Sequence, residues 1–525
     1  MTTPHETRYA SNHQFPHVPL MAGLSVVSRC HSPISQVSVE ILCLIFSFSR
    51  SKLQPHLGSF DVHRQNLTVL PLTAVCRHWR SVAIDHAVLW SNIAFTTSAL
   101  PTIDCATTFL QRSKGTPLHV HIWDRVRPKR PPSHTSLHDA LTRLLSFISS
   151  QRNRIILLEV IEPSTYLLNN LQGPAENVAQ LIVQGRTSTK RSDYFPAKFP
   201  NVQQVTLTCP TPCHLGSFTS LTQVTLHGDP RRWNIDAFLD CVDGCLTLKS
   251  LSITRCLDFY SVRDSTRTVS LPSLVNLRLN TCDTVTILGR LKLPATASVS
   301  VCIDVKHISN NFDNIFSCLP PEIDRVNFLR NTRYLTIVFD KLHGDFHISG
   351  FNGATPVFLL QICGPLERLN DGWVHRSFAA ATSILPFSDI ISLTLVAESV
   401  RVPWESWLRQ STHLSTLDVC CVNLGGLAAA LNHMQNNTPL CHTLRNLSIN
   451  IPHNSCVHDE KLLESAILMR KTHGSALSSL TIDACGWDNI RRSSSTWTAL
   501  VRREGLRFNL LHNLVLSHTQ TLFYS

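Results

Sequence analysis

The sequence predicts a multidomain α/β chain: a small all-α unit of three helices, then a long, curved solenoid of parallel strands. Three observations carry this. First, "LTAVCRHWRSVAIDHAVLWSNI" (residues 72–93) sets two of the nine tryptophans among apolar residues at helical spacing. Second, from Ile155 onward one short pattern keeps returning: apolar, two residues, apolar, one residue, apolar. Third, amphipathic helical segments lie between several of these returns, so a typical unit reads as a strand followed by a helix.

Composition bounds the rest. A chain of 525 residues is too long for one compact core. Hydrophobic content of 43% with 16% charged residues predicts a large folded interior and excludes disorder. The formal net charge of +11 predicts affinity for acidic surfaces, yet the basic residues are scattered. The tightest basic run, "RVRPKR" at 125–130, reads as a solvated loop rather than a nuclear-import signal or a nucleic-acid contact. The N-terminus has no basic start followed by an apolar run, and the longest strongly apolar stretch, near Val39 to Phe48, is too short for a bilayer. A cytoplasmic and/or nuclear protein with no membrane partner is expected, its 18 cysteines present as thiols.

Taken in order, residues 1–30 are polar, rich in His and Pro, and without period; they read as a flexible arm. In "PISQVSVEILCLIFSFS", Val37, Ile41, Leu44, Ile45 and Phe48 recur as one apolar face of a helix. Ser38 is placed to cap it, and Glu40 lies in its first turn, where the helix dipole favours an anion. A polar loop from Arg50 to Asn66 follows. Pro71 then suits a second helix start, with Leu72, Val75, Cys76, Trp79 and Ala83 on one face. Leu89, Trp90 and Ile93 form a short third helical element, which closes the all-α unit at residues 31–96.

Residues 97–150 lead into the solenoid. "PLHVHI" (117–122) alternates as a strand, and Leu137, Leu141, Leu144 and Ile148 mark a helix. Over residues 151–525 the apolar triplet occurs eleven times. It begins at Ile155/Leu158/Val160 and continues through Val178/Leu181/Val183, Val202/Val205/Leu207, Leu221/Val224/Leu226, Leu248/Leu251/Ile253 and Leu274/Leu277/Leu279. After a gap it resumes at Ile390/Leu393/Leu395, Leu414/Leu417/Val419, Leu444/Leu447/Ile449, Leu477/Leu480/Ile482 and Leu511/Leu514/Leu516. Strands at 297–305, 333–340 and 356–363 would fill the gap, for about fourteen strands in all. Return helices are expected in "NIDAFLDCVDG" (Ile235, Phe238, Leu239, Val242), in "DEKLLESAILMRK" (Leu463, Ala466, Ile467) and in "STWTALVRREG" (Trp497, Leu500, Val501). The triplet resembles the LxxLxL strand of leucine-rich repeats, whose strands and helices stack into a curved solenoid.

In such repeats the position three beyond the last strand apolar residue is often Asn or Cys, and Cys256, Cys282 and Cys485 occupy it. A zinc site built from Cys209, Cys213 and His214 with Cys241 and Cys245 is the alternative. Cys241 and Cys245 fall on a predicted amphipathic helix, however, and no metal or other cofactor is expected. Phosphate-cradling, dinucleotide-binding, zinc-protease and nucleophile-elbow motifs are all absent. The 26 histidines are dispersed, and no aromatic–basic interleaving suits nucleobases. A non-catalytic protein that does not bind nucleic acid is the expectation.

The residues of the helical unit resemble the F-box. "ISQVSVEILCLIF" is similar to its first helix, with Val37 in place of Leu and with Glu40, Ile41, Leu42, Ile45 and Phe46 matching. The second half is carried by Val75, Cys76, Arg77, Trp79, Arg80 and Ala83, then Leu89, Trp90 and Ile93. With the repeats behind it, the chain is similar to the F-box-like proteins of mushroom-forming fungi. The resemblance implies a substrate-receptor subunit that docks a Skp-type adaptor and, through it, a cullin–RING ubiquitin ligase. It implies adaptor contacts among Val37, Ser38, Glu40, Ile41, Leu42, Ile45, Phe46, Leu72, Val75, Cys76, Trp79, Leu89 and Trp90. Two departures stand out: Ser38 replaces the family's Pro, and the polar insertion after the first helix, of roughly 16 residues, is long.

An unknown protein substrate would lie along the concave face of the solenoid, where the residues between the apolar positions point. Gln203, Gln204, Thr206, Gln223, Thr225, Asn276 and Arg278 are the candidates, a set suited to a polar or acidic partner. The competing reading is a repeat scaffold whose helical unit only caps the solenoid.

Overall fold

A computed structural model describes residues 36–50, 69–124, 135–164, 167, 170–171, 174–185, 198–208, 215–228, 235–254, 267–281, 284–304, 313–320, 328–340, 345–363, 371–397, 401–421, 424–450, 457–483 and 507–509. Among these residues seventeen strands form one large, mostly parallel sheet that does not close on itself. Strands β1 (Asn92–Thr96), β2 (Leu118–Trp123), β3 (Ile155–Ile161), β4 (Gln180–Gln184), β5 (Gln204–Thr208), β6 (Gln223–His227), β7 (Ser250–Thr254), β8 (Asn276–Asn280) and β9 (Ser298–Asp304) lie side by side in chain order, all parallel. A meander follows: β10 (Tyr334–Asp340), β11 (Asp345–Asn352) and β12 (Thr355–Cys363), each antiparallel to the next. It is seated backwards. Its last strand, β12, pairs with β9, and its first, β10, pairs with β13 (Ser392–Ala397), both in parallel. Chain order then resumes through β14 (Thr416–Cys421), β15 (Asn446–Asn450), β16 (Ser479–Asp483) and β17 (Arg507–Asn509).

Eleven α-helices accompany the sheet among the described residues. They are α1 (Val39–Arg50), α2 (Leu70–Ala74), α3 (Arg77–Asp85), α4 (Leu100–Arg112), α5 (Thr135–Ser150), α6 (Ile235–Val242), α7 (Thr284–Arg290), α8 (Asp371–Ile384), α9 (Trp404–Gln410), α10 (Leu424–Leu431) and α11 (Val457–Thr472). Their apolar residues meet one face of the sheet in one continuous core; the other face is left without a helix among the described residues.

The apolar triplet explains each strand. Val205 and Leu207, Val224 and Leu226, Leu251 and Ile253, and Leu277 and Leu279 point into the core, and the residues between them do not. The first member of each triplet (Val202, Leu221, Leu248, Leu274) is buried beneath the entry turn. That turn repeats in atomic detail. The Ala179 carbonyl accepts from the N–H groups of both Gln203 and Gln204, at 2.8 and 3.0 Å. The same fork recurs at the carbonyls of Gln203, Thr222, Lys249, Arg333, Ile391, Ser415 and Arg445, using both lone pairs each time.

Ten of the eleven triplets end in a strand; the eleventh, at 511–516, lies outside the described residues, and β17 sits just before it. The three gap strands are β9, β10 and β12. Three strands of the sheet were not expected, and β17 is one of them. Ile93 belongs to β1 and not to a helix, because the chain leaves a single 3₁₀ turn at Ala87–Trp90 and pairs at once with β2. The third is β11. There, Gly350 faces the core opposite Leu335 and Phe358, and a Cβ would fall 2.2 Å from the Phe358 ring. Gly350→Ala should therefore cost about 1–3 kcal/mol, read from the urea midpoint of the full chain; an unchanged midpoint would refute the clash.

Of the expected return helices, α6 and α11 are present; residues 495–505 lie outside the described residues, as do Cys209, Cys213, His214, Cys256, Cys282, Cys485 and the 125–130 basic run. Cys241 and Cys245 are buried in the core around α6. Arg470, at the end of α11, is fully buried. Its Nη1 and Nη2 donate to the carbonyls of Leu440 (2.7 Å) and Cys441 (2.8 Å). Cys441 has a φ of 54°, so the guanidinium braces a left-handed turn. Burial pushes the Arg470 pKa down and the Cys441 thiol up to about 12. Arg470→Met should lower stability by about 2–3 kcal/mol, because two buried carbonyls lose a charged donor. A loss below about 0.5 kcal/mol in chemical denaturation would show the brace to be idle.

Candidate functional site

The helical unit is built outward from Trp90. Its ring is fully buried, meets Phe109 of α4 edge-on at 4.9 Å, and lies under the Arg112 guanidinium at 4.5 Å. Its Nε1–H donates to the Ala83 carbonyl at 2.8 Å, which ties α3 to the first sheet crossover. On α1, Leu42 and Phe46 share the inward face, and Phe46 meets Trp79 edge-on at 5.3 Å. Arg80 Nε donates to the Thr73 carbonyl at 2.8 Å, and His78 Nε2 reaches the Val37 carbonyl at 3.3 Å. These bonds fix α1, α2 and α3 against one another.

The ends of the helices are set by short polar side chains. The Ser38 hydroxyl accepts from the Ile41 N–H at 3.5 Å and its carbonyl accepts from Leu42 N–H at 3.0 Å. Glu40 has its carboxyl held below the usual range by its own backbone N–H first and by the Ser38 hydroxyl second. Cys76 is the N-cap of α3, its Sγ accepting from the Trp79 N–H at 3.4 Å.

The apolar face that the sequence predicts on α1 is not turned to the core. Ile41 is 49% exposed, Leu44 54%, Ile45 41% and Phe48 73%, at i, i+3, i+4 and i+7. Val39 stands beside them, and Leu70, Val75, Ile84 and Val88 are exposed on the adjoining elements. A monomer rarely leaves so many large apolar side chains together in water. Trp79, half-buried, has an indole Nε1 out of solvent with no hydrogen-bond partner among the described residues.

The candidate contact residues thus divide. Ile41, Ile45 and Val75 are open, and Val37, Leu72 and Trp79 are partly so. Leu42, Phe46, Leu89 and Trp90 are corrected: they are closed to solvent and support the surface from beneath. Cys76 is occupied as a helix cap. Leu44 and Phe48 belong to the surface although the motif that resembles the F-box does not include them; the helical period alone marks them.

The face of the sheet opposite the helices carries the other candidates. Strand register sets Gln180, Gln204, Gln223, Ser250, Asn276 and Ser298 in one row across β4 to β9. Ile182, Thr206, Thr225, Ser252, Arg278 and Ser300 form the next row. Six of the seven predicted residues therefore meet in two rows. Gln203 does not; it stands on the rim, where its carbonyl closes the entry turn. Toward the helical unit the same face turns apolar, with Ala94 and Trp123 buried against Ile161. His121 Nδ1 donates there to the buried Glu159 carboxylate at 2.5 Å, and Gln184 Nε2 donates to its other oxygen at 2.9 Å.

Among the described residues no group of three or more His, Cys, Asp or Glu side chains is placed to hold a metal ion, and no helix is long and apolar enough to cross a membrane. No family model matches the chain, and no curated protein matches it in sequence.

Proposed function

We propose that the protein is a substrate-receptor subunit of a Skp–cullin–RING ubiquitin ligase, with an F-box-like helical unit that docks the adaptor and a leucine-rich-repeat-like solenoid that holds a protein substrate. One observation carries the reading: the apolar stripe Ile41–Leu44–Ile45–Phe48 stands in water on the helix that resembles the first F-box helix. An amphipathic partner helix laid on that stripe would remove it from solvent. The departure at Ser38 is mild, because its hydroxyl caps α1 where the family's Pro would preset the turn.

The capping reading is favoured by a different observation, the burial of Leu42, Phe46 and Trp90 in the same core as the sheet. It accounts for the inner side of the unit and leaves the outer stripe without a purpose. The deciding experiment mixes the purified full chain with a fungal Skp-type adaptor and measures complex formation by calorimetry and gel filtration. A 1:1 complex is expected. A folded chain that forms none would leave the scaffold reading in possession.

A further inference from the structure

We infer that the face between β4 and β9, exposed at Gln204, Gln223, Asn276 and Arg278, binds an extended, otherwise uncharged segment of a partner protein through its main chain, with one acidic side chain of that segment seated on Arg278. This rests on the receptor reading above, and names the chemistry its substrate would present.

The first row supplies the main-chain contacts. Gln204, Gln223 and Asn276 are exposed, and Gln180, Ser250 and Ser298 are half-buried beside them. A primary amide offers a donor and an acceptor in one plane, which matches the N–H and C=O of a peptide unit. Amides stand on four of the six strands and Ser hydroxyls on the other two; at about 4.8 Å spacing the row covers about 24 Å from Gln180 to Ser298, the length of roughly seven extended residues. The flanking hydroxyls of Thr206, Thr225 and Ser252 both donate and accept, so they impose no charge on what lies across them.

Arg278 is the exception. It is exposed in the second row between Ser252 and Ser300, and it is the only charged side chain in the two rows. Among the described residues it makes no ion pair or hydrogen bond, whereas Arg267, Arg333 and Arg409 each hold a carboxylate. The nearest acid on the neighbouring strand, Asp304, lies four residues beyond Ser300, about 13 Å along β9. A lone guanidinium in a neutral field suits one carboxylate, which it can hold through two parallel bonds. A nucleic acid needs several cations for its phosphates, and these rows hold one. An amphipathic helix needs an apolar groove, and from β5 to β8 these rows hold none.

The test pans a random displayed 12-residue peptide library on the full-length protein, on Arg278→Glu, and on the triple variant Gln204→Ala/Gln223→Ala/Asn276→Ala. All four positions are exposed, so the fold survives each change. The wild type should enrich uncharged polar peptides bearing a single Asp or Glu. Arg278→Glu should exchange that acid for Lys or Arg, and the triple variant should reduce recovery about tenfold with the acid preference intact. Overturning results are no enrichment over bare support, an acid preference that survives Arg278→Glu, or a pool of apolar helical peptides. Adaptor binding is measured on the same three preparations. Its loss with peptide enrichment retained would sink the ligase reading alone, and the converse would sink the peptide site alone.

Discussion

Aspartate at both Ile41 and Ile45 is expected to abolish adaptor binding by the full chain while leaving its melting temperature unchanged. Each isoleucine is nearly half exposed when the chain is alone and would be fully covered in a complex. Losing the two half-burials removes about 2 kcal/mol, a factor of about thirty in affinity, before the cost of covering two carboxylates is added. The fold should not notice, since exposed positions away from caps and cores change stability by about 0.5 kcal/mol or less. Calorimetry and a thermal melt on the same sample read both quantities. Adaptor affinity that survives the double substitution would remove α1 from the interface. Phe46 is the wrong residue for this purpose: it is closed to solvent, and its loss would act through the core.

Trp407→Ala is expected to produce the largest loss of stability from a single change, about 3–5 kcal/mol. Trp407 is fully buried at the centre of an aromatic stack that joins α8, α9 and the turn before β13. Phe378 stacks on it at 5.6 Å with the planes 12° apart, Phe387 approaches to 5.1 Å, and Trp404 meets it edge-on at 6.2 Å. Phe346 of β11 continues the stack against Phe378 at 6.3 Å, which carries it under the meander. The indole Nε1–H also donates to the Phe378 carbonyl at 3.2 Å, an acceptor that alanine would strand. Urea denaturation followed by far-ultraviolet circular dichroism gives the value. A loss below about 1 kcal/mol would mean that the stack collapses freely around the gap.

The strands were legible because their signal is local. Two inward apolar residues at period two, with a third covering the turn, are enough to place β3 to β8 and β13 to β16. Where a neighbour supplies the missing piece, the signal fails. β11 reads Phe346, Ile348, then Gly350, and the third core slot is filled from β12 by Phe358. The backward seating of the meander is likewise a tertiary fact, since nothing in residues 334–363 states which strand meets β9. On α1 the period marks apolar side chains without saying which are covered: Leu42 and Phe46 face the core, and Ile41 and Ile45, one step away on the helix, face water. Cross-strand rows such as Gln204–Gln223–Asn276 follow once the register is fixed, and the triplets fix it.

The reversed meander also sets a timetable for synthesis. From β4 to β8 each strand is covered by a neighbour 19–27 residues further on, as Gln204↔Gln223 and Gln223↔Ser250 show. Val299 of β9 waits for Phe358, 59 residues later, because β10 and β11 emerge first and belong further out. At about 5–20 residues per second, a ribosome leaves that edge uncovered for about 3–12 s. Half of a sheet with an unpaired strand is a template for any other chain nearby. Chaperone dependence of the nascent chain should therefore rise as translation passes residue 304 and fall once residue 363 has cleared the exit tunnel.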